Sequence, residues 1–304
     1  MSQSAFRKDL PPDHRSGYVA LIGKPNVGKS TLMNALVGQK LSIVTKKPQT
    51  TRQRVLGIHS GEDHQAIFLD TPGIIDPRYA LQQSMMKSVS SAVSEADLLL
   101  FLADATRGDP DEMSLRHVPE DKSALLVLTK MDRLPQEQAL PLVDEYLGLR
   151  AFAEIIPTSG LKGTGVDALL EQITQHLPEG PPFYPKDQVS EHPERFFAAE
   201  IVREKVFQQF REEIPYSVQV NVTAFERRES RKTLIDAEIV VNKSTQKGIL
   251  IGAGGRAVKE VGAAAREDIE RLLDGEDVYL QLHVKVREDW RETPAALRSY
   301  GYRA

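Results

Sequence analysis

The sequence predicts an α/β domain on a mostly parallel sheet, followed by a smaller α+β domain. Three observations carry that prediction. From Gly17 to about Leu177, short apolar segments alternate with amphipathic helical patterns, the rhythm of parallel strands joined by crossover helices. A Pro- and Gly-rich run, Leu177-Pro-Glu-Gly-Pro-Pro-Phe-Tyr-Pro185, then interrupts it; its prolines suit neither a helix interior nor a strand ladder. Beyond Pro193 the periodicity changes to a helix, two alternating strands, two helices and a last alternating strand.

In chain order, Met1–Ser16 lacks the apolar core of a secretion signal and reads as a flexible polar extension. Residues 17–180 form the first expected domain. Its compact apolar segments Tyr18–Ile22, Ala66–Leu69, Leu98–Ala103, Leu125–Thr129 and the shorter Ile155-Ile156 read as strands. Ser30–Val37, Ser84–Ala96, Pro135–Leu147 and Gly165–His176 read as helices. Residues 181–192 are the expected linker and 193–304 the second domain with a C-terminal tail. There Pro193–Glu213 reads as a helix with Phe197, Ile201, Val206 and Phe210 inward, and Val218, Val220, Val222 and Ala224 alternate as a strand. Arg227–Lys232 is a polar turn, Thr233–Val241 a strand, Ser244–Leu250 a short helix and Arg256–Leu273 a longer one. Val278, Leu280, Leu282, Val284 and Val286 make the third alternation.

Composition narrows the function classes. The 304 residues are 40% hydrophobic and 27% charged, ordinary for a globular protein and against disorder throughout. The formal charge of −4 excludes a uniformly basic coat but not a local basic patch. With no cysteine, disulfides, thiol nucleophiles and thiolate ligands are excluded, which fits a cytoplasmic setting. No apolar run approaches the roughly 18 residues of a membrane span. The histidines have no metal-ligand spacing.

Gly23-Lys24-Pro25-Asn26-Val27-Gly28-Lys29-Ser30 matches the phosphate-binding pattern G-x-x-x-x-G-K-[ST], after an expected strand and before a helix that continues with Thr31. Its glycines let backbone amides turn toward phosphate oxygens, and the helix N-terminus adds positive potential. Lys29 is expected on the β- and γ-phosphates and the Ser30 hydroxyl on Mg²⁺. Asp70-Thr71-Pro72-Gly73, followed by Ile74, comes after a strand; the carboxylate can hold Mg²⁺ and the Gly73 amide can meet the γ-phosphate. Thr129-Lys130-Met131-Asp132 ends a strand, where Asp132 can accept from guanine N1–H and the 2-amino group, a donor pair adenine lacks. The Lys130 stem can lie along the base. Ser159-Gly160-Leu161 follows a further strand and can offer an amide to guanine O6.

These residues resemble the translation-factor-like GTPases, and over about Gly17–Ala304 the chain resembles the Era family of bacterial GTPases. Pro48-Gln-Thr-Thr-Arg52, Gln246-Lys-Gly-Ile-Leu-Ile-Gly252 and Lys285-Val-Arg-Glu-Asp-Trp290-Arg add to the resemblance. It implies a P-loop GTPase domain with a mostly parallel sheet, then an α+β type II KH domain. It further implies GTP hydrolysis with Lys29, Thr51, Gly73 and Asn26 in the catalytic machinery. The first switch would be Lys46–Arg52, with Thr51 favoured over Thr50 to join Ser30 and Asp70 around Mg²⁺. Ile74 stands where many relatives carry a water-orienting glutamine, and an alkyl chain cannot do that work. By resemblance, Asn26 is expected to ligate a monovalent cation such as K⁺. Two departures stand out: Thr129 replaces the usual Asn, and Gly160 replaces the usual Ala, with looser local geometry expected there.

In the second domain, Gly252-Ala253-Gly254-Gly255 between two expected helices matches the G-x-x-G clamp for single-stranded RNA. Lys243, Lys247, Arg256 and Lys259 surround it, with Gly248 and Ile251 alongside. The family commonly has Lys where Ala253 stands. Val258, Val261, Ala265, Ile269 and Leu272 are the expected buried stripe, and Trp290 an anchor of the tail. The resemblance implies partners: GTP and GDP, the single-stranded 3′ region of 16S rRNA and the 30S subunit during assembly, engaged by a monomer. It also implies a peripheral association with the inner face of the cell membrane, for which the sequence shows no basis. Two other classes share parts of this pattern, an ATP-using P-loop phosphotransferase and an RNA-binding module with an inactive nucleotide domain.

Overall fold

The computed structural model describes residues 11, 13–228 and 232–303. Most of the expected N-terminal extension lies outside the described residues, but its end does not: β1 runs Arg15–Ile22. Two compact units are present. One holds the chain up to Ser42, Thr51–Asp76 and Met85–Glu191; the other holds Ile43–Thr50, Pro77–Ser84 and the chain from His192.

The first unit is a six-stranded sheet in the order β2-β3-β1-β4-β5-β6. β2 (Val55–Ser60) and β3 (His64–Asp70) are antiparallel. β4 (Leu98–Asp104), β5 (Ala124–Thr129) and β6 (Glu154–Pro157) continue the sheet from β1 in parallel. All seven residues of β4 are buried, as expected of a central strand covered on both faces. Helices α1 (Lys29–Val37), α2 (Ala80–Glu95), α3 (Glu112–Leu115), α4 (Leu140–Leu149) and α5 (Val166–His176) complete the order. β1, β3, β4, β5 and β6 all deliver their carboxyl ends to one edge, where open α/β sheets bind ligands.

The expected parallel sheet is present, with an antiparallel strand added. β2 was missed because Val-Leu-Gly-Ile-His-Ser alternates poorly and is defined by its pairing to β3. The helix expected from Pro135 divides into a 3₁₀ turn (Gln136–Ala139) and α4, whose Pro141 stands in its first turn. The Pro-rich run is bound within this unit: the fully buried Gln65 side chain accepts from the amides of Phe183 (2.7 Å) and Tyr184 (2.9 Å). The Ile58 amide donates to Val189 O at 2.8 Å.

In the second unit β7 (Gln219–Glu226), β8 (Thr233–Val241) and β9 (Val278–Val286) form a sheet, β7 antiparallel and β9 parallel to β8. Helices α6 (Glu194–Gln209) and α9 (Arg256–Leu272) close its core through Val202, Val206, Val261, Ala265 and Ile269. The helix expected to reach Glu213 stops at Gln209, since Phe210 is extended and Glu212 left-handed (φ 53°); α7 (Ile214–Ser217) follows. α8 (Ser244–Ile251) precedes α9, and α10 (Pro294–Ser299) is the last helix among the described residues. Leu273 rather than Leu272 closes the buried stripe, and Val258 is half-buried, packed against the core. Trp290 is fully buried and donates Nε1–H to Ser217 O at 2.9 Å.

Candidate functional site

The turn after β1 is the Gly23–Ser30 loop. Gly23 (φ 145°) is required there, because a Cβ would stand 2.6 Å from Leu102 O. Gly28 is also left-handed (φ 109°) and opens α1. Lys29 is buried and donates Nζ–H to Gly23 O (2.9 Å) and Lys24 O (2.8 Å) inside the loop. Burial lowers its pKa to about 8, against the opposing pull of Asp70 and Asp111. Asn26 is exposed with φ 64°.

Beside the loop, three oxygen-bearing side chains converge. Ser30 Oγ donates to Asp70 Oδ2 at 2.7 Å, and Thr51 Oγ1 lies 3.0 Å from Ser30 Oγ and 3.4 Å from Asp70 Oδ2. Asp70 is fully buried, which raises its pKa; its Oδ1 has no hydrogen-bond partner. An orphaned carboxylate oxygen among hydroxyls is a donor set for a hard divalent cation. Thr50 is turned away: its hydroxyl donates to Lys47 O at 2.8 Å and lies 2.9 Å from Thr45 Oγ1.

Gly73 packs directly on the phosphate loop; a Cβ there would lie 2.6 Å from Pro25 N and Cα. The Ile74 amide donates to Gly23 O at 3.1 Å while its side chain is wholly inside the core. Thr71 does not face the loop, for its hydroxyl donates to Leu21 O at 2.6 Å and it is fully buried.

At the other end of this edge, Asp132 is exposed and its Oδ1 accepts from Ser159 Oγ at 2.6 Å. That bond holds the carboxyl below the usual carboxylate range. Lys130 (φ 62°) donates to Asp104 Oδ2 at 2.6 Å. The Thr129 hydroxyl donates to Val27 O (2.5 Å) and Ala103 O (3.0 Å). Met131 rests on the core, and Leu161 is exposed.

Residues 18–130 match the family described as 50S ribosome-binding GTPase, and residues 213–291 match the KH domain. The chain is 49% identical over 299 residues to the chloroplastic GTPase ERA1 of Zea mays, covering 96% of this chain and 72% of the relative. It is 46% identical over 295 residues to the chloroplastic GTPase ERA-like protein of Arabidopsis thaliana, covering 95% and 69%. This chain belongs to the Era family of GTPases. Among solved structures, Aquifex aeolicus Era bound to GDP·AlF4⁻ superposes with a TM-score of 0.90 at 42% identity, covering 95% of this chain and 99% of that one. Era in complex with MgGDPNP and nucleotides 1506–1542 of 16S ribosomal RNA gives 0.91 at 42% identity, covering 95% and 99%.

Two further residues at this site are not signalled by the sequence. Asp104 holds Lys130. Asp111 is buried and takes Lys24 Nζ and the Ser114 amide, each at 3.1 Å, on its Oδ1. Asp104 ends β4 and Asp111 caps α3 in the loop that follows, and neither stands in a recognisable motif. The expected looseness at Gly160 is corrected: a Cβ there would stand 3.0 Å from Leu32 Cα and 3.1 Å from Leu32 N, so the loop is pressed onto α1.

The KH domain carries the second site. Gly252 (φ 71°), Gly254 (φ 59°) and Gly255 (φ 79°) turn the chain between α8 and α9. A Cβ at Gly252 would meet Ala257 Cβ at 2.8 Å, whereas Gly254 and Gly255 have open space. A groove of about 710 Å³ runs beside this turn, lined by apolar Ile251, Val258, Leu282 and Val284 and by charges of both signs, Lys247 and Lys285 with Asp236 and Glu238, of which Lys285 pairs with Glu238. Lys247 and Ile251 were expected there; the β9 residues were not, because they arrive from far along the chain. Lys243, Gly248, Ala253, Arg256 and Lys259 are exposed around the turn, and Arg256 pairs with Glu260 at 2.9 Å.

Proposed function

We propose that this GTPase binds the single-stranded 3′ region of 16S rRNA through its KH groove and assists assembly of the 30S subunit, with its nucleotide state governing that binding. The observation that carries this is the pair of sites in one Era-type chain: a phosphate loop beside the Ser30, Thr51 and Asp70 cluster, and a G-x-x-G turn with Lys247 and exposed Lys243, Arg256 and Lys259 around a groove of mixed lining. A relative seen with a GTP analogue and 16S rRNA supports the same reading. In the nucleotide site, Ser30, Thr51 and Asp70 hold Mg²⁺, which neutralises phosphate charge when bound. Lys29 and the loop amides take the β- and γ-phosphates, and the Gly73 amide meets the γ-phosphate. Asp132 takes the Watson–Crick edge of guanine, and an amide of Ser159–Leu161 takes O6. Thr31, Val27, Pro25 and Lys24 shape the loop around the phosphates.

Ile74 is sealed in the core, so no side chain at that position orients the attacking water. By resemblance, Asn26, an exposed residue of the phosphate loop, would hold K⁺ beside the phosphates. Equal turnover in KCl and NaCl, or unchanged turnover in Asn26→Asp, would remove that role.

The protein acts as a monomer in the cytoplasm, which light scattering and fractionation would check. No described helix is long and apolar enough to cross a membrane. Crosslinking to RNA in the GTP-bound and GDP-bound states tests the whole reading. Recovery of the 16S 3′ region, changing with nucleotide and lost in Gly255→Asp, is expected; RNA capture indifferent to that substitution would refute the groove.

A further inference from the structure

Among the described residues, exposed large apolar side chains mostly stand one to an element or loop, as on any protein surface. Helix α4 departs from that pattern: Leu140 is 56% exposed, Leu147 47% and Leu149 46%. The core does not call on them, because Leu142 and Tyr146 already hold the inner face of the helix to the sheet. Helix propensity does not require them either, since Lys, Gln and Glu serve about as well as Leu at an exposed helical position. Leu140, half-buried Val143 and Leu147 fall at i, i+3 and i+7, which makes one stripe along the helix.

The charge around that stripe has one sign. Residues 134–149 contain Glu137, Asp144 and Glu145, all exposed, and no Lys or Arg. Asp144 lies four residues after Leu140 and three before Leu147, and Glu145 lies four before Leu149, so carboxylates border the leucines directly. The next cation in the chain, Arg150, is turned onto the carbonyls of Val118 (2.7 Å), Pro119 (2.8 Å) and Lys122 (2.9 Å). The segment it grips adds exposed Glu120 and Asp121. A second copy of this helix would bring carboxylate against carboxylate. Nucleic-acid phosphates and anionic headgroups carry the same wrong sign. An uncharged apolar helix would leave the carboxylates without a counter-charge. A helix whose apolar face is bordered by Lys and Arg matches both the stripe and its rim.

We propose that α4 is a docking surface for a basic amphipathic helix of a protein partner, with Leu140, Val143 and Leu147 as apolar anchors and Asp144 and Glu145 as the groups that read its charge.

The test is fluorescence anisotropy of labelled helical peptides of about 14 residues, four turns, on the full chain. One peptide carries Leu on one face and Lys on the other; a second carries Leu and Glu; a third has the first composition shuffled out of helical order. Wild type is expected to bind the Leu/Lys peptide at least about tenfold more tightly than either of the others. Leu140→Ser combined with Leu147→Ser should weaken that binding at least about tenfold. Asp144→Lys combined with Glu145→Lys should move the preference to the Leu/Glu peptide. All four side chains are exposed, so GTP turnover should stay unchanged and reports that each variant folds. A wild type with no preference for the Leu/Lys peptide overturns the proposal. So does Leu/Lys binding that neither pair of substitutions alters, because the peptide then sits elsewhere. Self-association, RNA affinity or binding to phosphatidylglycerol vesicles that disappears with the two leucines would give the face to that occupant and overturn it as well.

Discussion

Gly73→Ala isolates the approach of the sensing loop to the phosphates. The added Cβ would stand 2.6 Å from Pro25 N, Cα and Cγ, where carbon atoms normally keep about 3.5–4.0 Å. Two of those three atoms are backbone, so a side-chain rotation cannot relieve the overlap, and the segment after β3 must retreat by about 1 Å. A displacement of that size at a reacting centre costs about 10²-fold, or about 2.7 kcal/mol of barrier. GDP has no γ-phosphate, so its affinity should change by less than about threefold while phosphate release falls about 100-fold. Multiple-turnover phosphate release and fluorescent GDP binding measure the two quantities. Gly148→Ala serves as control, for nothing lies within 4 Å of that Cβ. Phosphate release from Gly73→Ala within threefold of wild type would refute the close-approach argument.

Other expectations follow from the same geometry. Gly160→Ala should lower Tm by about 2–4 °C, a cost of about 1 kcal/mol, because Leu32 backbone must move; calorimetry would show it. Gly148→Ala, inside α4, should raise Tm by about 2 °C. Trp290→Ala should cost about 3–5 kcal/mol in denaturant melts, since it removes a fully buried indole and its bond to Ser217. Lys247→Ala should weaken RNA affinity across sequences and reduce the salt slope by about 1 in a titration series. His59 is held below its ordinary pKa by burial and by the His64 ring stacked 5.3 Å away. The unfolded chain therefore takes up its proton first as pH falls through the ordinary histidine range, and stability drops there. His59→Gln should flatten the decline of Tm between about pH 7 and 5.

Much of the nucleotide site was legible because its residues come in short motifs at strand ends, where backbone geometry fixes what each side chain reaches. Lys29, Asp70 and Asp132 needed only their neighbours in sequence. Thr51 could be favoured over Thr50 only by resemblance; its contacts with Ser30 (3.0 Å) and Asp70 (3.4 Å) depend on folding and are invisible in the sequence. Asp104 and Asp111 were invisible because their partners, Lys130 and Lys24, are brought to them by the sheet, not by spacing. Gly160 read as slack because a missing methyl says nothing about what fills its place. The KH groove was half legible: α8 and the glycine turn are local, whereas Leu282 and Val284 join them through the parallel pairing of β8 and β9.

The phosphate loop is moored at three points, by Thr129 at Val27 O, by the Ile74 amide at Gly23 O and by Asp111 at Lys24. The three come from the end of β5, the segment after β3 and the N-cap of α3 beyond β4. A genetic screen for lost nucleotide binding should therefore return positions after β3, β4 and β5 as readily as positions in the loop. Suppressors should arise across these groups, since slack introduced at one mooring is recoverable by tightening another. Lineages that drift at one of the three positions are expected to drift at the others in concert.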